Sequence, residues 1–315
     1  MKKLLPLVLA LFALNSFAQE TTCGFDHANS AALIKQTNKN IEFYKQAKSE
    51  SDTGQVLRIP VVVHVIYKTF NGSPVGNISK QQVASQIDFT NEIYRAQYGT
   101  RASGPDHRIE FYLANQLPDG TYFDGILLHD IDSLDISETD KQLYKDYGVR
   151  SPSLGISDAT LKSAVVLPNQ EYYNILIVTE INNSNAGGGI QGFAYFPTTS
   201  IVDGVVNVYN AWGVRDGGYY PDGDNANLKS YTDLGGTGVH ELGHTLALFH
   251  TFQGGSCSES NCNIQGDRVC DTPPTTLSSS CSNAACSGTQ QVENYMDYTS
   301  QTCKDLLTEG QGERM

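Results

Sequence analysis

The sequence predicts an α/β fold, in which strands and helices alternate over most of the chain and a loop-rich segment follows. Three observations support this fold class. Runs of β-branched residues, typical of buried strands, recur before residue 210. Two long stretches with helical spacing of apolar residues separate or follow them. Beyond residue 250 the 315-residue chain is rich in Cys, Ser, Pro and Gly and has almost no periodic apolar pattern.

The first 18 residues have the features of a secretory signal peptide. Lys2 and Lys3 precede the apolar run LLPLVLALFAL, and Ser16-Phe17-Ala18 supplies a small-residue cleavage site. No other stretch is apolar for long enough to cross a bilayer. The net charge of −13 argues against nucleic acid and anionic membrane surfaces as partners. The mature chain is therefore expected to be secreted.

Residues 19–57 are polar and are expected to lie outside the main core. A helix is predicted over Ala31–Lys48, and Asp52-Thr53-Gly54 interrupts that pattern. Leu57–Tyr67 is then a β-branched run that predicts a buried strand. His64 within this strand is interpreted as a packed core histidine rather than a metal ligand.

The next elements follow from short local patterns. Ser79-x-x-Gln82 is a capping box, and apolar residues recur at helical spacing from there to Tyr94. Further predictions are a strand at Arg108–Ala114, a loop-rich stretch at Leu117–Asp135, a short charged helix at Ser137–Tyr147, and strands at Tyr173–Thr179 and Asp203–Tyr209.

Gly192–Pro197 reads GFAYFP and is predicted to be an edge strand, because a proline stops it. The unpaired side of an edge strand can form backbone hydrogen bonds with an extended peptide. This strand therefore offers a surface for peptide binding.

Val239–His250 reads VHELGHTLALFH and carries the chemistry of the chain. A helix is predicted over Thr232–His244 with Asp233 as its cap. His240 and His244 are four residues apart, so they lie on nearly the same helix face and can hold one Zn²⁺. Glu241 lies where it can take a proton from a zinc-bound water.

A third zinc ligand is needed, and three hypotheses remain open. In the first, the chain turns near Ala247 and brings back His250, as in the metzincin signature His-Glu-x-x-His-x-x-Gly-x-x-His. Ala247 stands in place of the usual Gly, and a left-handed turn there costs about 1 kcal/mol. In the second, Glu259 or Glu293 is the third ligand. In the third, the chain is a secreted binding module with a closed structural zinc site.

Six of the seven cysteines lie between Cys257 and Cys303, and Cys23 stands alone. Disulfides suit an exported chain, but six cysteines allow 15 pairings and sequence alone does not choose among them. Cys23-Gly24 could place a thiolate on the zinc and displace the catalytic water, because thiolate is a good zinc ligand.

Three motifs together resemble the pappalysin family of metzincin metallopeptidases. They are the zinc helix running into HTF at His250–Phe252, GDRVCDTPP at Gly266–Pro274, and ENYMDY at Glu293–Tyr298. The resemblance covers roughly residues 58–315. It implies a two-lobed fold with a twisted mixed sheet, a backing helix and an active-site helix. The upper lobe would span 58–246 and the lower, loop-rich and disulfide-stapled lobe 247–315.

The resemblance also implies roles for individual residues. His240, His244 and His250 would bind zinc, and Glu241 would be the general base. Met296 would be the methionine of the Met-turn, which forms an apolar floor under the metal. Tyr298 would donate a hydrogen bond to the tetrahedral oxyanion.

A structural Ca²⁺ site and a disulfide pattern are implied in the same way. Asp267, the Cys270 carbonyl and Thr272 match the calcium-binding segment of the family, and hard oxygen ligands suit Ca²⁺. The bridges implied are Cys262–Cys286 and Cys281–Cys303. Cys257–Cys270 is then a guess for the remaining pair.

One departure bears on specificity. Bacterial relatives that cleave before Arg or Lys carry an acidic residue just before the cysteine that follows the Met-turn. Here Ser300-Gln301-Thr302 precedes Cys303, although Asp305 could substitute. This position therefore leaves open whether the protein prefers basic residues.

The function expected is a secreted zinc endopeptidase that hydrolyses peptide bonds of proteins. Its 58–315 part would be catalytic, and residues 19–57 would be a propeptide that inhibits it through Cys23.

Overall fold

The computed structural model describes residues 23–47, 54–96, 101–184, 189–215, 227–282 and 285–315. The signal peptide predicted over 1–18 lies outside these residues. Within them, a seven-stranded mixed sheet carries helices on both faces, and a loop-rich C-terminal part holds three disulfides. The predicted α/β fold class is confirmed.

The long strand β1 organises the sheet. It is Leu57–Phe70, longer than predicted, and it begins at the last residue assigned to the propeptide. The other strands are β2 Ser73–Val75, β3 Ile109–Leu113, β4 Ile126–Asp130, β5 Tyr173–Val178, β6 Gly192–Ala194 and β7 Val205–Val208.

Strand order is β2-β1-β5-β7-β6, and β3 and β4 pair in succession along β1. All pairings are parallel except β1 with β2 and β6 with β7. β6 lies at the end of this order, as predicted from its proline. Its outer side is therefore free of other sheet strands.

Both faces of the sheet are buried. In β5, Ile175 and Ile177 join one hydrophobic cluster, while Leu176 and Val178 join the other. This double burial explains why strands β1, β5 and β7 read as continuous apolar runs. The helices are α1 Phe25–Ala28, α2 Ala31–Ala47, α3 Lys80–Arg95, α4 Glu138–Tyr147, α5 Asp158–Val165, α6 Gly236–Thr245 and α7 Glu309–Arg314.

Helix α3 begins as its sequence predicts, because the Ser79 side chain accepts a hydrogen bond from the Gln82 backbone N–H. The return half of the capping box is not used. Gln82 instead donates to the backbone carbonyls of Tyr209 and Trp212, which tie α3 to the chain after β7.

Two local predictions are wrong. The stretch Leu117–Asp135 contains strand β4, a short apolar segment that gains its order from pairing with the middle of β1. Asp233 does not cap the metal-bearing helix, since α6 begins at Gly236 after the left-handed Gly235. The Asp233 carboxylate pairs with Arg215 instead, at 3.3 Å.

The disulfides are Cys257–Cys286, Cys262–Cys270 and Cys281–Cys303. The predicted Cys281–Cys303 bridge is present. The predicted Cys262–Cys286 and Cys257–Cys270 bridges are wrong, because Cys262 closes a short loop onto Cys270, eight residues away. The local path of a loop without secondary structure decided this pairing, and the sequence does not encode it as a readable pattern.

The N-terminal segment 23–47 packs against the rest of the protein. The helix predicted over Ala31–Lys48 is present as α2. Arg314 of helix α7 donates a hydrogen bond to the Asn38 side chain at 2.6 Å. The segment is therefore part of the folded structure.

Candidate active site

Helix α6 ends at Thr245, and the chain then turns back on itself. Ala247 adopts the left-handed conformation, with φ of 69°, which is the turn predicted from the position of the missing Gly. The Leu248 N–H donates to the Gly243 carbonyl at 3.0 Å and closes the turn. The turn redirects His250 towards the helix face that carries His240 and His244.

The three imidazoles converge on one point. His244 Nε2 lies 3.2 Å from His240 Nε2 and 3.1 Å from His250 Nε2. Two nitrogen ligands on a tetrahedral zinc ion, each at about 2.05 Å, lie about 3.3 Å apart. The observed separations match that value, so the three rings fit a shared zinc ion.

The rings are oriented by backbone carbonyls. His240 Nδ1 lies 2.8 Å from the Tyr295 carbonyl oxygen, and His244 Nδ1 lies 2.7 Å from that of Leu248. Such contacts place the proton on Nδ1 and leave the Nε2 lone pair for a metal. Burial lowers the pKa of His244 to about 3 and holds the pKa values of His240 and His250 well below the usual range. All three rings are therefore neutral, as metal ligands must be.

Glu241 follows the first histidine and is fully buried. Burial raises the pKa of its carboxyl to about 8. One oxygen, Oε2, lies 3.4 Å from the Cys23 sulfur. Its other oxygen, Oε1, has no hydrogen-bond partner among the described residues. A buried carboxylate with a free oxygen beside three metal-binding rings is poised to exchange a proton there.

Cys23 lies directly over the three histidines. Its sulfur is 3.5 Å from His244 Nε2, and the four possible ligand atoms of Cys23, His240, His244 and His250 lie within 4.8 Å of one another. In the described part of the chain, this is the group of His, Cys, Asp and Glu side chains that can share an ion. Neither Glu259 nor Glu293 belongs to it.

The chain after Cys23 lies along the free edge of β6. The Gly24 N–H donates to the Gly192 carbonyl at 2.9 Å, and Cys23 pairs with Gly192 in a parallel bridge. The Asn29 side chain donates to the Ala194 carbonyl at 2.8 Å and accepts from the Phe196 N–H at 2.7 Å. The segment thus occupies the strand edge that was predicted to bind a peptide.

Phe25 anchors this segment, although no sequence pattern marks it. Its ring is fully buried and stacks on His244, with centroids 4.2 Å apart. It also packs against Phe196 and Phe249, at 5.0 and 6.0 Å between centroids. An aromatic pocket therefore lies beside the metal-binding rings.

Met296 lies beneath α6 and is fully buried. A Cβ atom added to Gly243 would come within 2.4 Å of the Met296 sulfur, so only glycine permits this approach. The turn around Met296 is tight, with the Asp297 N–H donating to the Asn294 carbonyl at 3.1 Å. These positions agree with the floor expected of a Met-turn.

Tyr298 closes another side of the site. Its ring centroid lies 4.8 Å from that of His250, and its hydroxyl donates to the Cys23 carbonyl oxygen at 3.3 Å. Burial raises the pKa of this phenol above its usual value, so it stays protonated and able to donate. The hydroxyl already binds a carbonyl oxygen near the three rings.

The residues expected to bind calcium lie together in part. The Thr272 hydroxyl donates to Asp267 Oδ2 at 2.7 Å, and Asp267 Oδ1 accepts from the Val269 N–H. Cys270 is held by its disulfide to Cys262. Burial raises the pKa of Asp267 to about 7. A nearby cation would offset the cost of burying the charged Asp267 carboxylate, and the oxygen ligands suit a hard ion.

A cavity opens beside His240 and Glu241, on the side of the residues that follow Met296. Its lining includes Gln191, Tyr231, Thr237, Gln301 and Lys304. Sequence reasoning did not identify Lys304. No motif marked it, because it follows Cys303 in a stretch without periodic pattern.

Comparisons with known proteins agree with this site. A solved structure described as a mutant of promirolysin from Tannerella forsythia is similar, with a TM-score of 0.63, 29% identity, and 93% of this chain and 92% of that one covered. Mature mirolysin from the same organism, in complex with a cleaved peptide, has a TM-score of 0.57 at 29% identity, with 82% of this chain and 90% of that one covered. The predicted metzincin-like fold is confirmed by these matches.

Similar sequences are named extracellular metalloproteases. Extracellular metalloprotease 1 of Coccidioides posadasii is 40% identical over 133 residues, which are 41% of this chain and 44% of that protein. A second, from Pyricularia oryzae, is 39% identical over 145 residues, 42% of this chain and 44% of that protein. The chain thus spans less than half of the length of these relatives. The family model described as pregnancy-associated plasma protein-A matches residues 157–315, half of the chain, and the protein belongs to this peptidase family.

Proposed function

We propose that this protein is a secreted zinc endopeptidase, made as a zymogen, that hydrolyses peptide bonds of proteins. One observation carries the proposal. The neutral imidazoles of His240 and His250 each place Nε2 within 3.2 Å of Nε2 of His244, beside the buried Glu241. The adjacent edge of β6 already pairs with the backbone of Cys23. A peptide laid on the same edge would bring a carbonyl group to the three rings.

Each catalytic residue would act at a defined place. When zinc is bound by His240, His244 and His250, it supplies Lewis-acid chemistry and lowers the pKa of water from about 15.7 towards 7. Glu241 would accept the proton of the attacking water at Oε2, where the Cys23 thiol now lies. Glu241 would then deliver that proton to the leaving amide nitrogen. Tyr298 would donate its hydroxyl proton in a hydrogen bond to the oxygen of the attacked carbonyl.

Residues 19–57 would act as the inhibitor of the same site. Cys23 would take the place of the water. The backbone at Cys23 and Gly24, together with the Asn29 side chain, would take the place of a substrate on β6. Substrate and segment cannot occupy one edge together. Proteolytic removal of the segment would open the cleft, and the bond cut would lie before the catalytic part predicted over 58–315.

The binding-module hypothesis makes a different prediction about this segment. Its closed four-ligand zinc site resembles the arrangement of Cys23 with the three histidines. If the zinc were structural, loss of the N-terminal segment would weaken zinc binding and destabilise the fold. The peptidase hypothesis expects zinc to stay and activity to rise. The free Oε1 of Glu241 favours the peptidase, because a structural site needs no base.

The hypothesis of a glutamate as third ligand is separated from ours by substitution. His250→Ala is expected to lose zinc, whereas Glu259→Gln and Glu293→Gln are expected to keep it. Inductively coupled plasma mass spectrometry of the purified proteins measures this directly. Zinc retained at full stoichiometry in the His250 variant would favour the glutamate.

Secretion fits the three disulfides and the names of the extracellular relatives. In the part of the chain that the structure describes, no helix is both long and apolar enough to span a membrane. We propose protein or peptide substrates, no nucleic-acid or membrane partner, and a structural calcium ion at Asp267 and Thr272.

The experiment that tests the proposal uses Glu241→Gln. Both this variant and wild type are freed of the N-terminal segment by limited proteolysis, and cleavage of a denatured protein is followed. We expect unchanged zinc content and a loss of rate of about a thousandfold, the scale of general acid–base catalysis, because the proton acceptor is gone. Glu138→Gln is the matched control, because Glu138 is 85% exposed and lies on α4. Wild-type activity in the Glu241 variant would refute the assignment.

A further inference from the structure

The cavity beside the zinc-binding rings has one wall made by residues that the mechanism does not use. We call it the Lys304 cavity, after the lysine that lines it together with Thr237, Gln301, Tyr298 and the acids Glu241 and Asp297. It opens next to the position of the bond to be cleaved. A side chain of a bound peptide that flanks this bond can enter it.

Lys304 is held in place but has donor capacity left. Its ammonium donates to the Asp297 carbonyl at 2.6 Å and to the Tyr295 carbonyl at 3.3 Å. An ammonium group has three N–H donors. One donor therefore remains after these two bonds, on a residue that lines the cavity.

The positive charge of Lys304 has no carboxylate partner in the described part of the chain. Asp297, the nearest acid after the Met-turn, has its carboxylate turned to Thr251 and Gln290, which donate to it at 2.7 and 3.1 Å. Glu241 faces the metal-binding rings. The charges of Asp297 and Glu241 act on the ammonium through space, but neither carboxylate forms a hydrogen bond with it. Burial of a cation is costly, and a ligand carboxylate in direct contact with Lys304 would offset that cost.

The Gln301 side chain on the same wall is already engaged by its neighbours. Gln301 uses its oxygen to accept from the Leu234 and Gly236 N–H groups and its nitrogen to donate to Thr237. Asp305, which could have supplied a negative charge, accepts a hydrogen bond from Ser103 at 2.8 Å and does not line the cavity. Two acids line the cavity as well, but the Asp297 carboxylate is held by Thr251 and Gln290, and Glu241 lies beside the three imidazoles. Lys304 is therefore the cationic group that the cavity offers to a substrate side chain.

We propose, resting on the proposed peptidase function, that the Lys304 cavity selects an aspartate or glutamate side chain flanking the cleaved bond, and that Lys304 is the residue that determines this specificity. The net charge of −13 does not oppose this. Charges farther than about 8 Å are screened at physiological ionic strength, whereas the ammonium would contact the substrate directly.

The test uses full-length protein whose N-terminal segment has been cut by limited proteolysis. Matched quenched-fluorescence peptides carry Glu, Gln, Ala or Arg at either position flanking the scissile bond. At one of the two positions, wild type is expected to cleave the Glu peptide with a kcat/KM about tenfold to a hundredfold above that of the Arg peptide, the range of a hydrogen bond to a charged group. Mass spectrometry of the products confirms the bond cut.

Three variants make the assignment specific. Lys304→Met is expected to abolish the Glu-over-Arg ratio, and Lys304→Arg to retain a preference for Glu. Gln301→Glu places an acid in the cavity while keeping both of its backbone acceptor bonds, and it is expected to invert the ratio towards Arg even if the Lys304 variants fold poorly. Lys80→Met, which removes an exposed lysine paired with Asp124, is the control and keeps the wild-type ratio.

The outcomes separate the two proposals. Cleavage by wild type with equal or greater rates for Arg peptides, or an unchanged ratio in Lys304→Met and Gln301→Glu, would overturn the specificity while leaving the peptidase intact. If zinc-loaded wild type cleaved none of the peptides and no denatured protein, the peptidase function would fall, and this inference with it.

Discussion

Substitution of Phe25 tests whether the N-terminal segment inhibits the enzyme, and it leaves every proposed zinc ligand in place. Its ring is fully buried between His244, Phe196 and Phe249, so Phe25→Ala removes about 100 Å² of buried apolar surface, worth about 2.5 kcal/mol at 25 cal/mol per Å². Loss of the ring stacking adds about 0.5 kcal/mol. A total of about 3 kcal/mol corresponds to a shift of roughly 150-fold towards molecules with an open cleft.

The assay follows initial cleavage of a quenched peptide by uncut, zinc-loaded full-length protein. We expect uncut Phe25→Ala to be about a hundredfold more active than uncut wild type, following the free-energy difference above, and gel analysis at the end confirms that the chain is intact. Phe43→Ala is the matched control, because Phe43 belongs to the same segment and is 66% exposed. After proteolytic removal of the segment, all three proteins should be equally active.

Two results would contradict the reasoning. If uncut Phe25→Ala were as inactive as uncut wild type, the contacts of Cys23 alone would hold the segment over the site. The aromatic pocket would then contribute nothing to the inhibition. If Phe43→Ala were activated equally, the effect would come from general loosening of the segment rather than from the buried ring.

Two further predictions concern stability. Burial lowers the pKa of His64, which contacts His129 and Asn174, to about 4. In the unfolded chain this histidine binds a proton near pH 6.5, whereas in the folded protein it stays neutral until about pH 4. The free energy of unfolding therefore falls by up to about 3 kcal/mol as the pH drops from 6.5 to 4. Urea unfolding of His64→Gln should show a flatter slope over this interval, and an equal slope would disprove the link. Ca²⁺ added to the zinc-loaded protein should raise the melting temperature, and Asp267→Asn should lose that increase. An equal increase in wild type and in Asp267→Asn would show that calcium does not bind at this loop.

The part of the site carried by one continuous segment was predictable. The spacing of His240 and His244 fixes two ligands on a helix face, and the need for a third forces a turn, which the structure has at Ala247. The edge position of β6 followed from Pro197 in the same way. In both cases local geometry leaves few alternatives, so a short pattern determines the structure.

What depended on contacts between distant segments was not predictable. Strand β4 is ordered by pairing with β1, and the disulfide partners of Cys257 and Cys262 depend on the path of loops without a pattern. Phe25 and Lys304 have no motif around them. Their importance comes from what the fold places beside them, which is the set of three imidazoles.

Arg314 connects the turn that positions His250 to the N-terminal segment 23–47. Its guanidinium donates to the Ala247 carbonyl at 2.8 Å, lies 5.0 Å over the Phe249 ring, and donates to Asn38 in helix α2. The left-handed Ala247 costs about 1 kcal/mol, and a charged hydrogen bond to its carbonyl offsets that cost by about 1.5 kcal/mol or more. Because this bond and the Phe249 contact do not involve the N-terminal segment, the turn keeps its support when α2 leaves. The turn that brings His250 to His240 and His244 is therefore supported from within residues 236–314, and we expect it to persist once the N-terminal segment is removed.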